Sequence, residues 1–132
     1  MADRYVLDTH ALFFYLTASS KLGQGAKAIF DRFDNGEAVM LIPWIVIAEL
    51  YWLAQKFATN MDFNAEFRKL WDHPKIVFIE LDFEQVMNLS KLDRIKEMHD
   101  RIIAGVAYRF GIPLITRDQN IRDSGYVTTI WS

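Results

Sequence analysis

Four acids stand where their positions in the sequence could give them chemistry to do. Asp8 closes the apolar run Tyr5-Val6-Leu7, and Asp118 follows the run PLIT after one arginine. Glu49 lies inside IPWIVIAEL, and Asp100 stands at the head of the helical pattern in EMHDRIIAGVAYRFG. A carboxylate among Ile45, Val46, Ile47, Ala48, Leu50, Tyr51, Trp52 and Leu53 is costly unless it is paired or binds a metal. Four carboxylates brought to one place repel one another when bare, and a divalent cation relieves that repulsion. Hard oxygen donors in a chain without cysteine favour Mg²⁺ or Mn²⁺ over zinc. The reaction such a site performs most naturally is hydrolysis of a phosphodiester by metal-activated water.

Each acid also has a plainer role. Asp8 and Asp100 can cap helices, Asp118 can cap or turn the chain before Gln119-Asn120-Ile121-Arg122, and Glu49 can lie on a wet stripe beside Gln55 and Lys56. His10 and His99 adjoin two of the acids, yet a histidine next to a helix start is more often a cap or surface group than a base. The mixed charges Lys91, Asp93, Arg94, Lys96 and Glu97 read as a solvated surface.

The elements that must position these groups follow from periodicity. Apolar runs of strand length recur as RYVLD, AVMLIP, KIVFIEL, PLIT and VTTIW. Helical spacing between them predicts a helix from Asp8 or Thr9 to about Leu16, and a second over 25–33 closed by Asn35-Gly36. It predicts others over 45–57 with Pro43 near the start, over 64–71, over 83–92, and over 99–110 with Gly111 as the stop. Strands alternating with helices imply an α/β domain: three α/β/α layers around a mostly parallel sheet of about five strands. No repeat, low-complexity tract or linker interrupts it, so residues 1–132 are expected to form one domain. In such a sheet ligands sit beyond the carboxyl ends of the strands, where Asp8 and Asp118 fall.

Composition narrows the field further. The chain has 132 residues, 52% hydrophobic and 14% aromatic, which excludes a disordered chain and calls for a substantial core or an apolar interface. A net charge of -2 supplies no basic footprint, so a polyanion would be held by local cations or metal. The lack of cysteine removes disulfides, thiolate zinc sites and a thiol nucleophile, and fits a reducing, cytoplasmic setting. No charged-then-apolar leader precedes Tyr5. The longest apolar run, MLIPWIVIA, is broken by Pro43 and too short to cross a bilayer, so no membrane association is expected. The aromatics exceed what one small core needs. With few basic residues among them they read as core plus an apolar surface for partners rather than as base-stacking platforms.

The segments VLDTHALFFYL, IPWIVIAEL and HDRIIAGVAYRFGIPLITRDQNIRDSG, with a terminal strand ending TTIW, resemble in order and spacing the PIN-domain nucleases. Within that family they resemble the VapC-type toxins of toxin–antitoxin modules. The resemblance implies that Asp8, Glu49, Asp100 and Asp118 form the acidic catalytic and metal-binding set, with Thr9 and Thr116 in supporting roles. It implies an endoribonuclease dependent on one or two Mg²⁺ or Mn²⁺ ions, without a covalent intermediate, commonly a homodimer, silenced by an antitoxin encoded beside it. Arg101, Arg117 and Arg122 are the candidate RNA contacts, with Lys21 and Lys56 further out. Two other readings compete: a PIN-like module that binds RNA or protein without catalysis, and a receiver-type phosphoacceptor domain. The second wants a lysine after a late strand, which KIVFIELD and PLITRD do not offer.

Overall fold

The computed structural model describes residues 3–57 and 60–132. Five strands form one sheet: β1 (Asp3–Leu7), β2 (Ala38–Pro43), β3 (Ile76–Ile79), β4 (Leu114–Ile115) and β5 (Thr129–Ile130). Their order is β3-β2-β1-β4-β5 and every pairing is parallel. Helices surround the sheet: α1 (Thr9–Leu16), α2 (Gln24–Asp34), α3 (Trp44–Phe57), α4 (Phe63–Asp72), α5 (Phe83–Asn88), α6 (Met98–Phe110) and α7 (Gln119–Ser124). The three-layer parallel architecture expected from the alternation is therefore present.

The sheet order matters for function. From β1 the chain builds outward through β2 to β3, then crosses back to lay β4 and β5 on the other side of β1. The crevice between the carboxyl ends of β1 and β4 is thus the switch point, where loops diverge and leave room for a ligand. The amide of Asp8 donates to the Ile115 carbonyl at 3.1 Å, so the first acid is pinned to β4 at that crevice. A receiver-type sheet runs 2-1-3-4-5, and the order here departs from it.

Both faces of the inner strands are covered, which is why they are apolar runs and not alternating patterns. Val6, Met40, Ile42, Leu114 and Ile115 are completely buried, as are Leu12, Leu50 and Ile103 on the helices that pack over them. Burial of each such side chain contributes roughly 1.5–3 kcal/mol.

Local chemistry sets the boundaries, and several differ from expectation. Pro43 is the last residue of β2, and α3 begins at Trp44 with no loop between. The segment 83–92 breaks at Asn88 into α5 and a 3₁₀ turn (Leu89–Leu92). Asp100 does not cap its helix: Glu97 does, accepting the Asp100 amide at 2.7 Å, so Glu97 is more than a member of a solvated charge run. Gly111 ends α6 in the left-handed region at φ 64°, as its position predicted. The Trp131 carbonyl accepts the Ala26 amide at 2.9 Å, tying the chain's last residues to the head of α2. That approach explains Gly23, because a Cβ there would lie 2.2 Å from the Trp131 oxygen.

Candidate active site

Asp8 leaves β1 in extended conformation (ψ 162°) and caps α1, its Oδ1 accepting the Thr9 amide at 2.7 Å. Its other oxygen accepts the Thr116 hydroxyl at 2.5 Å. Thr116 is wholly buried behind the strand ends, and its hydroxyl oxygen accepts the Asp118 amide at 3.0 Å. On the other side the Thr9 hydroxyl donates to Glu49 Oε1 at 2.7 Å. Glu49, Thr9, Asp8, Thr116 and Asp118 therefore form one hydrogen-bonded series across three elements and the crevice. The two threonines expected in supporting roles are its links. The cap reading of Asp8 and Asp118 is also realised, since Asp118 Oδ1 accepts the Ile121 amide at 2.9 Å and starts α7. Capping engages one oxygen of each acid and does not compete with a site role.

Asp100, Glu49, Asp8 and Asp118 line one open cleft of about 710 Å³ together with Thr9, His10, His99 and Arg117. Electrostatics register the crowding. The carboxyl of Asp100 is pushed up to about 7, first by burial and then by the charges of Asp118, Asp8, Glu97 and Glu49. Burial also raises Asp8, against the hydrogen bonds from Thr116 and Thr9 that favour its charged form. Glu49 is raised by burial too, opposed by the Thr9 hydroxyl. Burial, and next the Arg117 charge, lower His10, whereas the 2.6 Å contact to Glu97 raises His99.

The residues present suit a hard divalent cation by donor type and charge. They do not form a closed cage: among the described residues no three acid or histidine side chains converge on a common ion position. Mg²⁺ asks for less than a cage, because it usually keeps several waters and takes one or two carboxylates. Asp8, Glu49, Asp100 and Asp118 all line the cleft, and burial raises the first three of these carboxyls.

The expected RNA contacts separate. Arg117 lines the cleft, its guanidinium 4.8 Å from the Phe14 ring centroid. Arg122 lies exposed on α7, outside the cleft lining. Arg101 turns to the preceding loop and donates to the carbonyls of Ile95, Leu89 and Asp93 at 2.7, 3.3 and 3.4 Å. Its guanidinium braces the 3₁₀ turn against α6 and so holds the head of the helix that carries Asp100. Lys56 lines the cleft; Lys21 lines a neighbouring hollow with His10, Phe14 and Arg117.

Sequence reasoning passed over Trp52, Leu53, Phe57 and Gln119, which also line the cleft. The signal was present for three of them. Trp52, Leu53 and Phe57 follow Glu49 by three, four and eight residues, spacings that share a helix face.

An all-parallel sheet with acids gathered at its switch point defines an α/β protein built to bind a ligand at its strand ends. The PIN domain family profile matches residues 5–125, and the chain belongs to that family of nucleases. Its fold is that of VapBC2 from Rickettsia felis, solved bound to a DNA fragment from their promoter. That likeness has a TM-score of 0.72 at 14% identity, over 98% of this chain and 99% of the other. FitAcB from Neisseria gonorrhoeae is similar at TM-score 0.68 and 18% identity, over 95% of each chain. A toxin–antitoxin complex from Klebsiella pneumoniae is similar at TM-score 0.66 and 20% identity, over 95% of this chain and 96% of that one. No curated protein matches the chain by sequence.

Proposed function

We propose that the chain is a single metal-dependent endoribonuclease domain and the toxin of a toxin–antitoxin pair, with Asp8, Glu49, Asp100 and Asp118 as its metal-binding and catalytic acids. The observation that carries this reading is the hydrogen-bonded series from Glu49 to Asp118, faced across the cleft by a carboxyl raised to about 7. When bound, Mg²⁺ or Mn²⁺ supplies a more acidic water and neutralises charge developing on the phosphodiester. The protein's part is to hold the acids. Thr9 and Thr116 fix Asp8 and Glu49 in orientation by donating to the charged carboxylates, and Glu97 caps α6 so that Asp100 meets the cleft. Arg117 and Lys56 line the same cleft as cations for a phosphate.

The partner half of the proposal draws on the toxin–antitoxin complexes of similar fold and on exposed apolar groups. Leu81, Phe83, Val86 and Met87 stand exposed beside the edge strand β3 and offer a face to a second copy of the chain. No helix of the described residues is long and apolar enough to cross a membrane.

Purified protein should cut a mixed RNA substrate with Mg²⁺ or Mn²⁺ and not with EDTA, and Asp100→Asn should not cut. Cleavage retained by Asp100→Asn would remove that acid from the mechanism. A folded protein that neither cuts RNA nor gains thermal stability from millimolar metal would fit the binding-only reading.

A further inference from the structure

One wall of the acidic cleft is aromatic. Trp52 is 71% exposed and Phe57 67% exposed, and both line the cleft that contains Asp8, Glu49, Asp100 and Asp118. Helix geometry places them in sequence outward from the acids: at 1.5 Å per residue, Trp52 lies roughly 5 Å and Lys56 roughly 10 Å along α3 from Glu49. The indole of Trp52 meets Tyr51 edge-on at 5.5 Å and 81°, which restrains its plane. Lys56 sits 5.7 Å from the Phe57 ring centroid, and Arg117 borders the acids beside His10. Most large aromatics elsewhere in the chain are packed: Trp44 stacks on Phe78 at 4.6 Å, and Tyr15 on Phe30 at 4.2 Å.

A tryptophan this exposed beside a reactive cleft presents its ring face to whatever enters the cleft. A flat aromatic face next to two cations matches the two parts of a nucleotide, a base with a π-face and a phosphate with a charge. We propose that Trp52 is a base platform: an unpaired nucleotide next to the scissile phosphate stacks on its indole, with Lys56 and Arg117 meeting the backbone phosphates on either side. Acids, aromatic and cations then form one continuous strip along the cleft. The inference rests on the nuclease reading above and adds the side chain that holds the base, whose face must be free of a stacked neighbour to meet the indole. It reverses the expectation drawn from composition, where the aromatics read only as core and partner surface.

Binding is the readout that separates this inference from the reading beneath it. A short fluorescent single-stranded RNA, its duplex form as competitor, and the Asp100→Asn chain with Mg²⁺ allow affinity to be measured without cutting. Adding Trp52→Ala should weaken binding by about five- to 150-fold, the range for loss of one stacked base. Trp52→Phe should restore most of that loss, and duplex RNA should compete poorly. Lys56→Ala should lower the slope of log affinity against log salt by about 0.7, whereas Trp52→Ala should leave it unchanged. Trp71→Ala, at an indole 58% exposed but outside the cleft lining, is the control for loss of an exposed tryptophan elsewhere.

Equal affinity across Trp52→Ala, Trp52→Leu and Trp52→Phe would overturn the platform while leaving the nuclease reading intact. So would full rescue by Trp52→Leu, which would mark an apolar wall with no stacking. If Trp52→Ala kept RNA affinity but lost the antitoxin, the face would belong to a protein partner. A folded wild-type chain that neither binds nor cuts RNA at any salt, with Mg²⁺ or Mn²⁺ present, would remove the nuclease reading and this inference together.

Discussion

Without divalent metal, Asp100→Asn should stabilise the protein near neutral and alkaline pH and do nothing once the pH is well below 3.8. Asp100 is raised from 3.8 to about 7 by burial and by its acidic neighbours, and no hydrogen bond contributes to its shift. Between 3.8 and about 7 the unfolded chain has released this proton while the folded chain still holds it. The folded state binds more protons across that window, so stability falls as pH rises through it and stays lowered above it. The full difference corresponds to ~4 kcal/mol. Asp100 is only half-buried, and solvent screening reduces that to roughly 1–2 kcal/mol. Asparagine keeps the shape and removes the charge, so the variant should melt higher than wild type by about 3–8 °C around pH 8 in EDTA. The gap should shrink as pH falls toward 3.8 and vanish below it, where Asp100 is protonated in the folded and the unfolded chain alike. Thermal unfolding of the two proteins in EDTA across that range is the assay. A gap that does not change with pH, or an asparagine variant less stable than wild type at pH 8, would refute mutual repulsion among the acids.

Other substitutions test the supports of the site. Thr116→Val should cost about 1–3 kcal/mol in urea unfolding, because it strips a donor from buried Asp8 and an acceptor from the Asp118 amide. A loss under ~0.5 kcal/mol would show that the hydroxyl does not hold the series together. Gly23→Ala should destabilise by about 1–3 kcal/mol and speed hydrogen exchange at the Ala26 amide, since its Cβ collides with the Trp131 carbonyl. Unaltered exchange there would mean that the chain end yields without cost. Gln85 is 2% exposed, and neither end of its amide finds a partner among the described residues. Gln85→Leu should therefore leave stability level or raise it by about 1 kcal/mol, and a clear loss in denaturant would show a hidden role for the amide.

Much of this protein is readable from one dimension. Runs such as AVMLIP and PLIT are apolar throughout because both faces of a parallel sheet are covered, and that pattern needs no partner to be recognised. Glu49 is conspicuous in its apolar helix, and Asp8 and Asp118 each follow a strand run, so the acids were nameable from type and spacing. Gly111 stops α6 because only a residue tolerant of positive φ closes a helix that way.

The cap of α6 shows where such reading ends. Asp100 and Glu97 are both acids at the start of that helix, and only the backbone decides that Glu97 accepts the amide while Asp100 faces the cleft. Arg101 was equally ambiguous: an arginine beside a site acid turned back to brace three carbonyls. Long side chains have several rotamers, and their direction depends on neighbours that lie far away in sequence.

The sequence by itself determined that this is a parallel α/β chain with acids at strand ends, because periodicity and the cost of burying charge act locally. Only the tertiary structure decided that Thr9 and Thr116 join those acids into one series. It alone set Trp52 and Lys56 on the wall beside them. Both outcomes depend on the order in which the strands pack, and the crossing from β3 back to β4 brings Asp8 and Thr116 within one hydrogen bond across 108 residues of chain.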